Sequence, residues 1–261
     1  MLLSEVKRRE TPSGGDKVAE GGGKILRFYR SERLLHWAIA APFLFCFTTA
    51  MILVVFYNPS PLRPYRALFS WAHRASGLCL IILPFLAVYR SKGNFQIHLY
   101  NIKQAWTWVL DDFKWLFLMF AAAVNHQIKL PDQGKFNAAE KLNFMVLMGT
   151  YPLYIATGLL IWLTHVAFLS WLLHSAMALM AMPLIGGHMY MAMVSRNGRP
   201  GLTGMVHGYV PRHWAKHHYA HWYRAHFKEE EEPQSVEEEN PEATVEAGPL
   251  SPQSPASRLS A

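Results

Sequence analysis

The sequence predicts an all-α membrane protein with a bundle of four transmembrane helices. Hydrophobic residues make up 51% of the 261 residues and charged residues 16%, whereas soluble domains contain roughly 25% charged residues. The apolar residues concentrate in four long runs, and a helix needs about 20 such residues to cross a bilayer. The positive charges lie on alternate connections between the runs.

Each of the four runs ends at charged residues or at turn-forming residues. The runs extend over residues 34–57, 69–89, 142–164 and 167–194. Pro84 lies inside the second run, and membrane helices tolerate such a proline because neighbouring groups satisfy the freed backbone. We therefore predict one membrane-spanning helix for each run.

The connection between the second and third runs contains a shorter apolar stretch within residues 104–124. Its apolar part covers about half a span, and Asp111, Asp112 and Lys114 flank or interrupt it. Tryptophans that suit the headgroup level are Trp106, Trp108 and Trp115. We predict an interfacial helix here, and the alternative is a fifth crossing that would invert the last connections.

The distribution of positive charge predicts the orientation. Residues 1–33 carry eight Lys and Arg, the first short loop two, residues 90–141 seven, the third-to-fourth connection none, and residues 195–228 six. The positive-inside rule then places both termini and the long connection in the cytoplasm. The net charge of +7 is thus a sign of topology, and we predict membrane lipid and no nucleic acid as a partner.

Composition divides the chain into four segments. Residues 1–24 are polar and Gly-rich and are predicted to be a flexible cytoplasmic extension. Residues 25–194 form the membrane domain, and residues 195–228 form a cytoplasmic segment rich in His and aromatic residues. Residues 229–261 are acidic and then Pro/Ser-rich, which predicts a disordered tail.

Four histidines lie near the ends of the apolar runs, where a polar group needs a partner. His36 is in the first run, His73 in the second, and His174 and His188 are 14 residues apart in the fourth. That spacing is about 21 Å along a helix and nearly four turns, so both imidazoles lie on almost one face. The topology pairs His36 with His188 at the cytoplasmic level and His73 with His174 at the opposite level.

Two histidine pairs at two depths predict two haems b, and the alternative is four ordinary interfacial histidines. Helix bundles bind such apolar plates in their cores, and imidazole is a good ligand for haem iron. Arg33, one turn before His36, is placed to meet a haem propionate. Glycines that would let a porphyrin approach the helices are Gly77, Gly149, Gly158, Gly186 and Gly187. Cys46 and Cys79 form no Cys-x-x-Cys-His motif, so no covalent haem is expected.

Several motifs follow one another in a specific order over residues 27–224. They include Arg27-Phe28-Tyr29, Ser31-Glu32-Arg33-Leu34-Leu35-His36-Trp37, His73-Arg74-Ala75-Ser76-Gly77, Phe136-Asn137-Ala138-Ala139-Glu140-Lys141, Thr157-Gly158, Gly187-His188-Met189-Tyr190 and Gly208-Tyr209-Val210. This ordered set resembles the cytochrome b, or gamma, subunit of membrane-bound formate dehydrogenases, a prokaryotic dihaem cytochrome b.

The resemblance implies an electron-transfer subunit. Electrons would come from an iron–sulfur (beta) subunit, fed by a catalytic molybdenum or tungsten (alpha) subunit, and pass through two haems to menaquinone or ubiquinone. It implies quinone contacts from Asn137 and His188, with Lys141 as a further candidate. This chain has no molybdopterin or iron–sulfur motif, so no formate-oxidising centre is expected in it. The alternatives are a similar subunit of another respiratory dehydrogenase, a hydrogenase or a sulfur-compound reductase, and a non-redox membrane protein.

A dense histidine cluster follows the fourth run. Its members are His207, His213, His217, His218, His221 and His226. We predict an interfacial segment that faces a partner or lipid. The alternative is a metal site, because histidine-rich tracts can bind metals and His217 and His221 have an i, i+4 spacing.

Overall fold

The computed structural model describes residues 23–57, 64–125, 127–164 and 168–227. In chain order its elements are β1 (Lys24–Leu26), α1 (Arg30–Tyr57), α2 (Arg66–Arg90), a 3-10 turn (Lys92–Asn94), α3 (Phe95–Trp106), α4 (Leu110–Val124), α5 (Ala138–Thr164), α6 (Phe168–Met189), a π-helical turn (Tyr190–Val194), α7 (Arg199–His207), β2 (Tyr209–Pro211), α8 (Arg212–His218) and α9 (Ala220–His226).

Four helices within the described residues are long and apolar enough to cross a membrane, which confirms the predicted bundle. They are Arg30–Phe56, Arg66–Arg90, Ala138–Thr164 and Phe168–Val194. Only 6% to 17% of the residues in their most apolar windows are buried, so most of their side chains face outward, as lipid contact requires. The predicted extension before residue 23, the tail after residue 228 and the predicted start at Ala167 lie outside the described residues, although β1 already begins at Lys24.

The spans form two helical hairpins. α1 packs along α2 and α5 packs against α6, whereas few close backbone contacts join α2 to α5. One contact between the hairpins is the hydrogen bond that the Tyr151 hydroxyl donates to the Leu80 carbonyl. The two hairpins therefore face one another across a gap that side chains, rather than backbones, must bridge.

The long connection contains two helices that are not candidate spans. α4 has 15 residues, which is too short for a hydrocarbon core of about 30 Å, and it corresponds to the predicted interfacial helix. α3 was not predicted. Asp112 ties α4 to α5, because its buried carboxylate accepts a hydrogen bond from the Val109 N–H at 2.9 Å and pairs with Lys141 Nζ at 2.7 Å.

A group of buried apolar and aromatic side chains forms a compact layer at one end of the bundle. We call this layer the basal cap and define it as residues 24–28, 127–137 and 199–226. Its core residues are Ile25, Val210, Trp214, Tyr219, Trp222 and Tyr223. β1 and β2 pair antiparallel with Ile25 opposite Val210, so both ends of the described chain meet here. This two-stranded pair was not predicted.

Gly208 makes the turn into β2. Its φ is 96°, a left-handed conformation that favours glycine. Its carbonyl accepts hydrogen bonds from the Arg27 and Phe28 N–H groups at 2.9 and 3.1 Å. An added Cβ would lie 3.0 Å from the Phe28 carbonyl oxygen. The turn therefore requires glycine both for its backbone conformation and for the close approach of the N-terminal segment.

Arg27 is buried at the centre of the basal cap, with 2% of its surface exposed. Its guanidinium lies 3.5 Å from the ring centre of Tyr219 and 5.1 Å from that of Trp222, and it donates a hydrogen bond to the Lys135 carbonyl at 2.8 Å. Cation–π attraction is strongest where water is excluded. Arg27 thus joins the residues before α1 to the segment after α6.

A buried ion pair lies where the basal cap meets α1. Lys135 Nζ is 2.5 Å from Glu32 Oε1, and 2% and 5% of the two side chains are exposed. Glu32 also accepts hydrogen bonds from Asn101 Nδ2 at 2.6 Å and the Tyr29 N–H at 2.8 Å. Burial lowers the pKa of Lys135, although the Glu32 carboxylate opposes that change. The pair connects α1, α3 and residues 127–137.

We expect Lys135→Met to destabilise the protein, because Glu32 would keep a buried charge without its cation. Loss of one partner of a buried pair costs about 3–5 kcal/mol. The matched control is Lys114→Met, since Lys114 pairs with Asp111 at 3.1 Å and both side chains are about half exposed; such pairs contribute about 0–1 kcal/mol. Unfolding of the detergent-solubilised protein, followed by circular dichroism, measures both. Equal small losses would contradict a structural role for the buried pair.

We expect stability to fall above pH of about 10 because of Tyr219. Burial, and then the charge of Glu140, which accepts its hydroxyl hydrogen bond at 2.7 Å, raise the Tyr219 pKa. The unfolded chain loses this proton near pH 10, whereas the folded chain keeps it, so rising pH favours unfolding. Tyr219→Phe should flatten the dependence of the unfolding midpoint on pH between about 9 and 11. Tyr209→Phe is the control, and an unchanged slope in Tyr219→Phe would oppose this explanation.

Candidate functional site

α6 contributes one histidine to each of two pairs. His188 faces His36 of α1, with ring centres 6.4 Å apart and planes inclined by 46°. His174 faces His73 of α2, with ring centres 6.3 Å apart and planes inclined by 78°. We call them the basal pair (His36 and His188) and the distal pair (His73 and His174). The structure thus brings the four predicted histidines together in the predicted combinations.

The basal pair lies beside the basal cap. On either side of His36, Arg33 Nη1 donates a hydrogen bond to the Val206 carbonyl at 2.7 Å, and Trp37 Nε1 donates one to the Met205 carbonyl at 3.1 Å. These bonds hold the start of α1 against α7. The buried Arg33 Nε has no hydrogen-bond partner among the described residues.

The separation of the rings fits a metal between each pair. An imidazole nitrogen bonds a transition metal at about 2 Å, which places two opposed ring centres about 6 Å apart. Both pairs have this separation. In the basal pair, His36 Nδ1 is buried without a hydrogen-bond partner in the described part of the chain.

The glycines near the histidines leave room for a flat cofactor. A Cβ added at any of four of them would meet nothing within 4 Å: Gly77, Gly149, Gly186 and Gly187. At Gly158 an added Cβ would lie 3.4 Å from His174 Cε1, so this glycine lets α5 approach the ligand ring. Ring separation and space together fit a porphyrin whose iron is held by two imidazoles.

Hydrogen bonds fix which nitrogen of each distal histidine carries the proton. His73 Nδ1 lies 3.0 Å from the Cys46 carbonyl, which only accepts, so Nδ1 is the donor. His174 Nδ1 lies 2.9 Å from Thr157 Oγ1, and that hydroxyl donates to the Leu153 carbonyl at 2.6 Å. The Thr157 oxygen therefore accepts from His174. Both Nε2 atoms then have a free lone pair, the form that binds a metal.

Sequence reasoning missed these partners of the distal histidines. Two of these partners are the hydroxyl residues Thr49 and Thr157, which lie inside apolar helices and are 3% and 5% exposed. Thr49 Oγ1 lies 3.3 Å from His73 Nδ1. The position of a polar residue in an apolar run was the available signal. The contact of the Cys46 carbonyl with His73 could not be predicted from residue types, because every residue has a backbone carbonyl.

The predicted quinone contacts lie at the start of α5, where Asn137 and Lys141 are, and at the end of α6, where His188 is. Asn137 caps α5, since its Oδ1 accepts from the Glu140 N–H and its own N–H donates to Glu140 Oε2, both at 2.9 Å; this is a capping box. Lys141 Nζ donates to Asp112 Oδ2 at 2.7 Å and to the Thr107 carbonyl at 3.0 Å. Both residues thus have structural partners, whereas His188 is exposed.

The members of the histidine cluster lie in α7, α8 and α9. Across the described ranges, no group of three or more His, Cys, Asp or Glu residues is arranged to hold a metal ion. His217 Nδ1 lies 3.3 Å from His218 Nδ1, and His221 Nδ1 lies 3.3 Å from Arg224 Nη2. Burial lowers the pKa of His218. The geometry therefore does not favour the metal-site alternative for His217 and His221.

Comparison with known families identifies the bundle. The family model of prokaryotic cytochrome b561 matches residues 27–208, which include every helix from α1 to α7 and all four paired histidines. The chain belongs to the prokaryotic cytochrome b561 family. As a cytochrome b, this family member is a multi-pass membrane protein that binds haem b, which confirms the predicted cofactor class and argues against a non-redox membrane protein.

Curated relatives carry related names. The nitrate-inducible formate dehydrogenase cytochrome b556(Fdn) subunit of Escherichia coli K12 is 32% identical over 116 residues, covering 41% of this chain and 52% of the relative. The chain thus matches about half the length of that relative. The formate dehydrogenase cytochrome b556 subunit of Haemophilus influenzae is 25% identical over 75% of this chain and 81% of its own length. The cytochrome b556(fdo) subunit of Escherichia coli K12 is 28% identical over 75% of this chain and 90% of its own.

Proposed function

We propose that this cytochrome b561 family member is the dihaem membrane subunit of a formate dehydrogenase complex and passes electrons from an iron–sulfur subunit to a quinone. The observation that carries the proposal is the pair of histidine contacts made by α6, with ring centres 6.4 and 6.3 Å apart. The names of the relatives, all cytochrome b556 subunits of formate dehydrogenases, supply the class of the complex.

The proposed haem ligands are His36 with His188 and His73 with His174. Haem iron would supply one-electron redox chemistry when bound to these residues. The 14-residue spacing of His174 and His188 separates the two ligand levels by about 21 Å along α6. Arg33 is the proposed propionate contact, because its buried Nε has no other partner among the described residues.

The proposed orientation puts the basal cap in the cytoplasm of a bacterium and the distal pair towards the outer face of the inner membrane. The charge distribution supports it, since residues 1–33 carry eight Lys and Arg and the third-to-fourth connection carries none. Quinone would then be reduced beside the basal pair and take its protons from the cytoplasm. Residues 25–194 are the proposed membrane domain and residues 195–228 the proposed cytoplasmic segment.

His188 and Asn137 are the proposed quinone contacts. The His188 side chain is exposed, and no hydrogen bond ties its ring to another described residue, so its Nδ1–H is available to a quinone oxygen. The Asn137 side chain also donates a hydrogen bond to the Tyr219 hydroxyl, so one of its two amide N–H groups is left for a quinone oxygen. Lys141 is the weaker candidate, because its ammonium is already bound to Asp112 and Thr107.

The proposed partners are an iron–sulfur (beta) subunit and, through it, a catalytic molybdenum or tungsten (alpha) subunit. Formate oxidation needs a molybdenum or tungsten centre, and this sequence contains no motif for one. Affinity purification of the complex from native membranes, followed by mass spectrometry, tests this assignment. A molybdenum or tungsten formate dehydrogenase subunit among the copurifying proteins supports it. A hydrogenase or sulfur-compound reductase subunit in that place would overturn it.

We expect His174→Leu and His188→Leu each to remove one of two haems b, because each deletes one axial ligand of a different pair. The haem-to-protein ratio of the purified variants, measured as the pyridine haemochrome, should fall to about half of the wild-type ratio. The control is His207→Leu in the basal cap, which should keep both haems. A variant of either ligand that retains the full haem content would refute the assignment of that pair.

We expect Asn137→Asp to weaken quinone binding while α5 keeps a helix-capping residue at this position. Aspartate caps a helix as well as asparagine does, but its carboxylate cannot donate a hydrogen bond to a quinone oxygen. Loss of one such bond should raise the KM for a quinone analogue by about tenfold. The control is Asn125→Asp, where the Asn125 oxygen accepts from the Gln127 N–H at 3.0 Å. An unchanged KM with unchanged haem content would remove Asn137 from the site.

A further inference from the structure

We propose that Thr157 and Thr49, with the Cys46 carbonyl, are positioning residues that strengthen the distal histidines as donors and so lower the reduction potential of haem held there. This inference rests on the proposed function of the two pairs. It concerns side chains that the family match and the relatives' names do not assign. The step involved is the gain of one electron by the iron, with no bond formed or broken.

The contacts at the distal pair are buried and directional. His174 Nδ1 donates to Thr157 Oγ1 at 2.9 Å, and the Thr157 hydroxyl hydrogen is committed to the Leu153 carbonyl at 2.6 Å. A chain of hydrogen bonds therefore runs from the imidazole through the hydroxyl to the backbone of α5. Such chains polarise their members, so the imidazole gains negative charge.

His73 is held by two acceptors of α1. Its Nδ1 lies 3.0 Å from the Cys46 carbonyl and 3.3 Å from Thr49 Oγ1. The Thr49 hydroxyl donates to the Phe45 carbonyl at 2.8 Å, which leaves its oxygen as an acceptor. A bond in the other direction, from Cys46 Sγ to the His73 carbonyl at 3.4 Å, fixes the same turn of α2. The carbonyl keeps His73 oriented even without the Thr49 hydroxyl.

The basal pair lacks such acceptors. His36 Nδ1 is buried with no partner in the residues that the structure describes, and none of the hydrogen bonds found in those residues involves the His188 ring. The two pairs therefore share their ring separation but differ in the groups behind the rings. Among the residues that the structure describes, only the distal histidines have hydrogen-bond acceptors behind their rings.

The sign of the effect follows from charge. An acceptor on Nδ1–H raises the basicity of the ligating nitrogen. A more basic ligand stabilises the oxidised iron more than the reduced iron, because the oxidised iron carries one more positive charge. Removing the acceptor should therefore raise the midpoint potential at the distal pair and leave the basal pair unchanged.

The test is a redox titration of the full-length haem-loaded protein, followed optically in detergent. We expect Thr157→Val to raise one of two midpoint potentials by about 59 mV, which corresponds to a tenfold change in a one-electron equilibrium. Thr49→Val should raise the same midpoint by less, since the Cys46 carbonyl remains. Thr157→Ser, which keeps the hydroxyl, should restore the wild-type value. The g values of the oxidised haem give a second readout of ligand orientation that activity does not.

Matched controls separate this effect from a loss of helix stability. Thr150 and Thr48 make the same hydroxyl-to-carbonyl bond one turn back, to Val146 and Leu44, both at 2.8 Å, but neither hydroxyl contacts a histidine. Thr150→Val and Thr48→Val should therefore leave both midpoint potentials unchanged.

The possible results of these titrations distinguish a failure of this inference from a failure of the proposed function. Unchanged midpoints in Thr157→Val with two haems still bound would overturn this inference and leave the proposed function intact. A shift of equal size in Thr150→Val would also overturn it, because the effect would then belong to the helix rather than to the histidine contact. A wild-type chain that binds no haem would overturn the proposed function and this inference together.

Discussion

An imidazole inside a membrane must have a partner, and this constraint organises the bundle. α6 brings two imidazoles to the gap between the helical hairpins, and each one meets an imidazole of the α1–α2 hairpin at about the same ring separation. The hairpin backbones make few close contacts, and the two pairs lie where the hairpins face one another. A change in the rotation of α6 would disturb both pairs at once, whereas a change in α1 or α2 would disturb one.

The basal cap has a different structural role, because it joins the residues before α1 to the segment after α6. Arg27 is the link: its cation is surrounded by aromatic rings of the later segment and its backbone is bonded to Gly208. Glu32 and Lys135 add a buried pair that reaches the long connection. The cap thereby fixes α1 from outside the bundle, next to the pair that contains His36.

The parts of this structure that follow from periodicity and spacing were predictable. The four spans are long apolar runs, and the 14-residue interval in the fourth run, together with the topology that the positive charges indicate, predicts both pairs. The cap was not predictable, because β1 and β2 are far apart in sequence and Lys135 and Arg27 belong to polar segments that resemble solvated ones. The roles of Thr49 and the Cys46 carbonyl depend on how closely α1 approaches α2, which composition does not encode.

Because the chain is synthesised from its N-terminus, the position of α6 late in the sequence affects when the histidine pairs can form. Since α6 supplies one member of both pairs, a nascent chain has no complete pair until α6 has entered the bilayer. The same holds for the cap, because β2 is made after α6 while its partner strand precedes α1. Completion of the two pairs and closure of the basal cap are therefore both late events in biogenesis, and a chain interrupted before α6 would contain only His36 and His73, each without its partner.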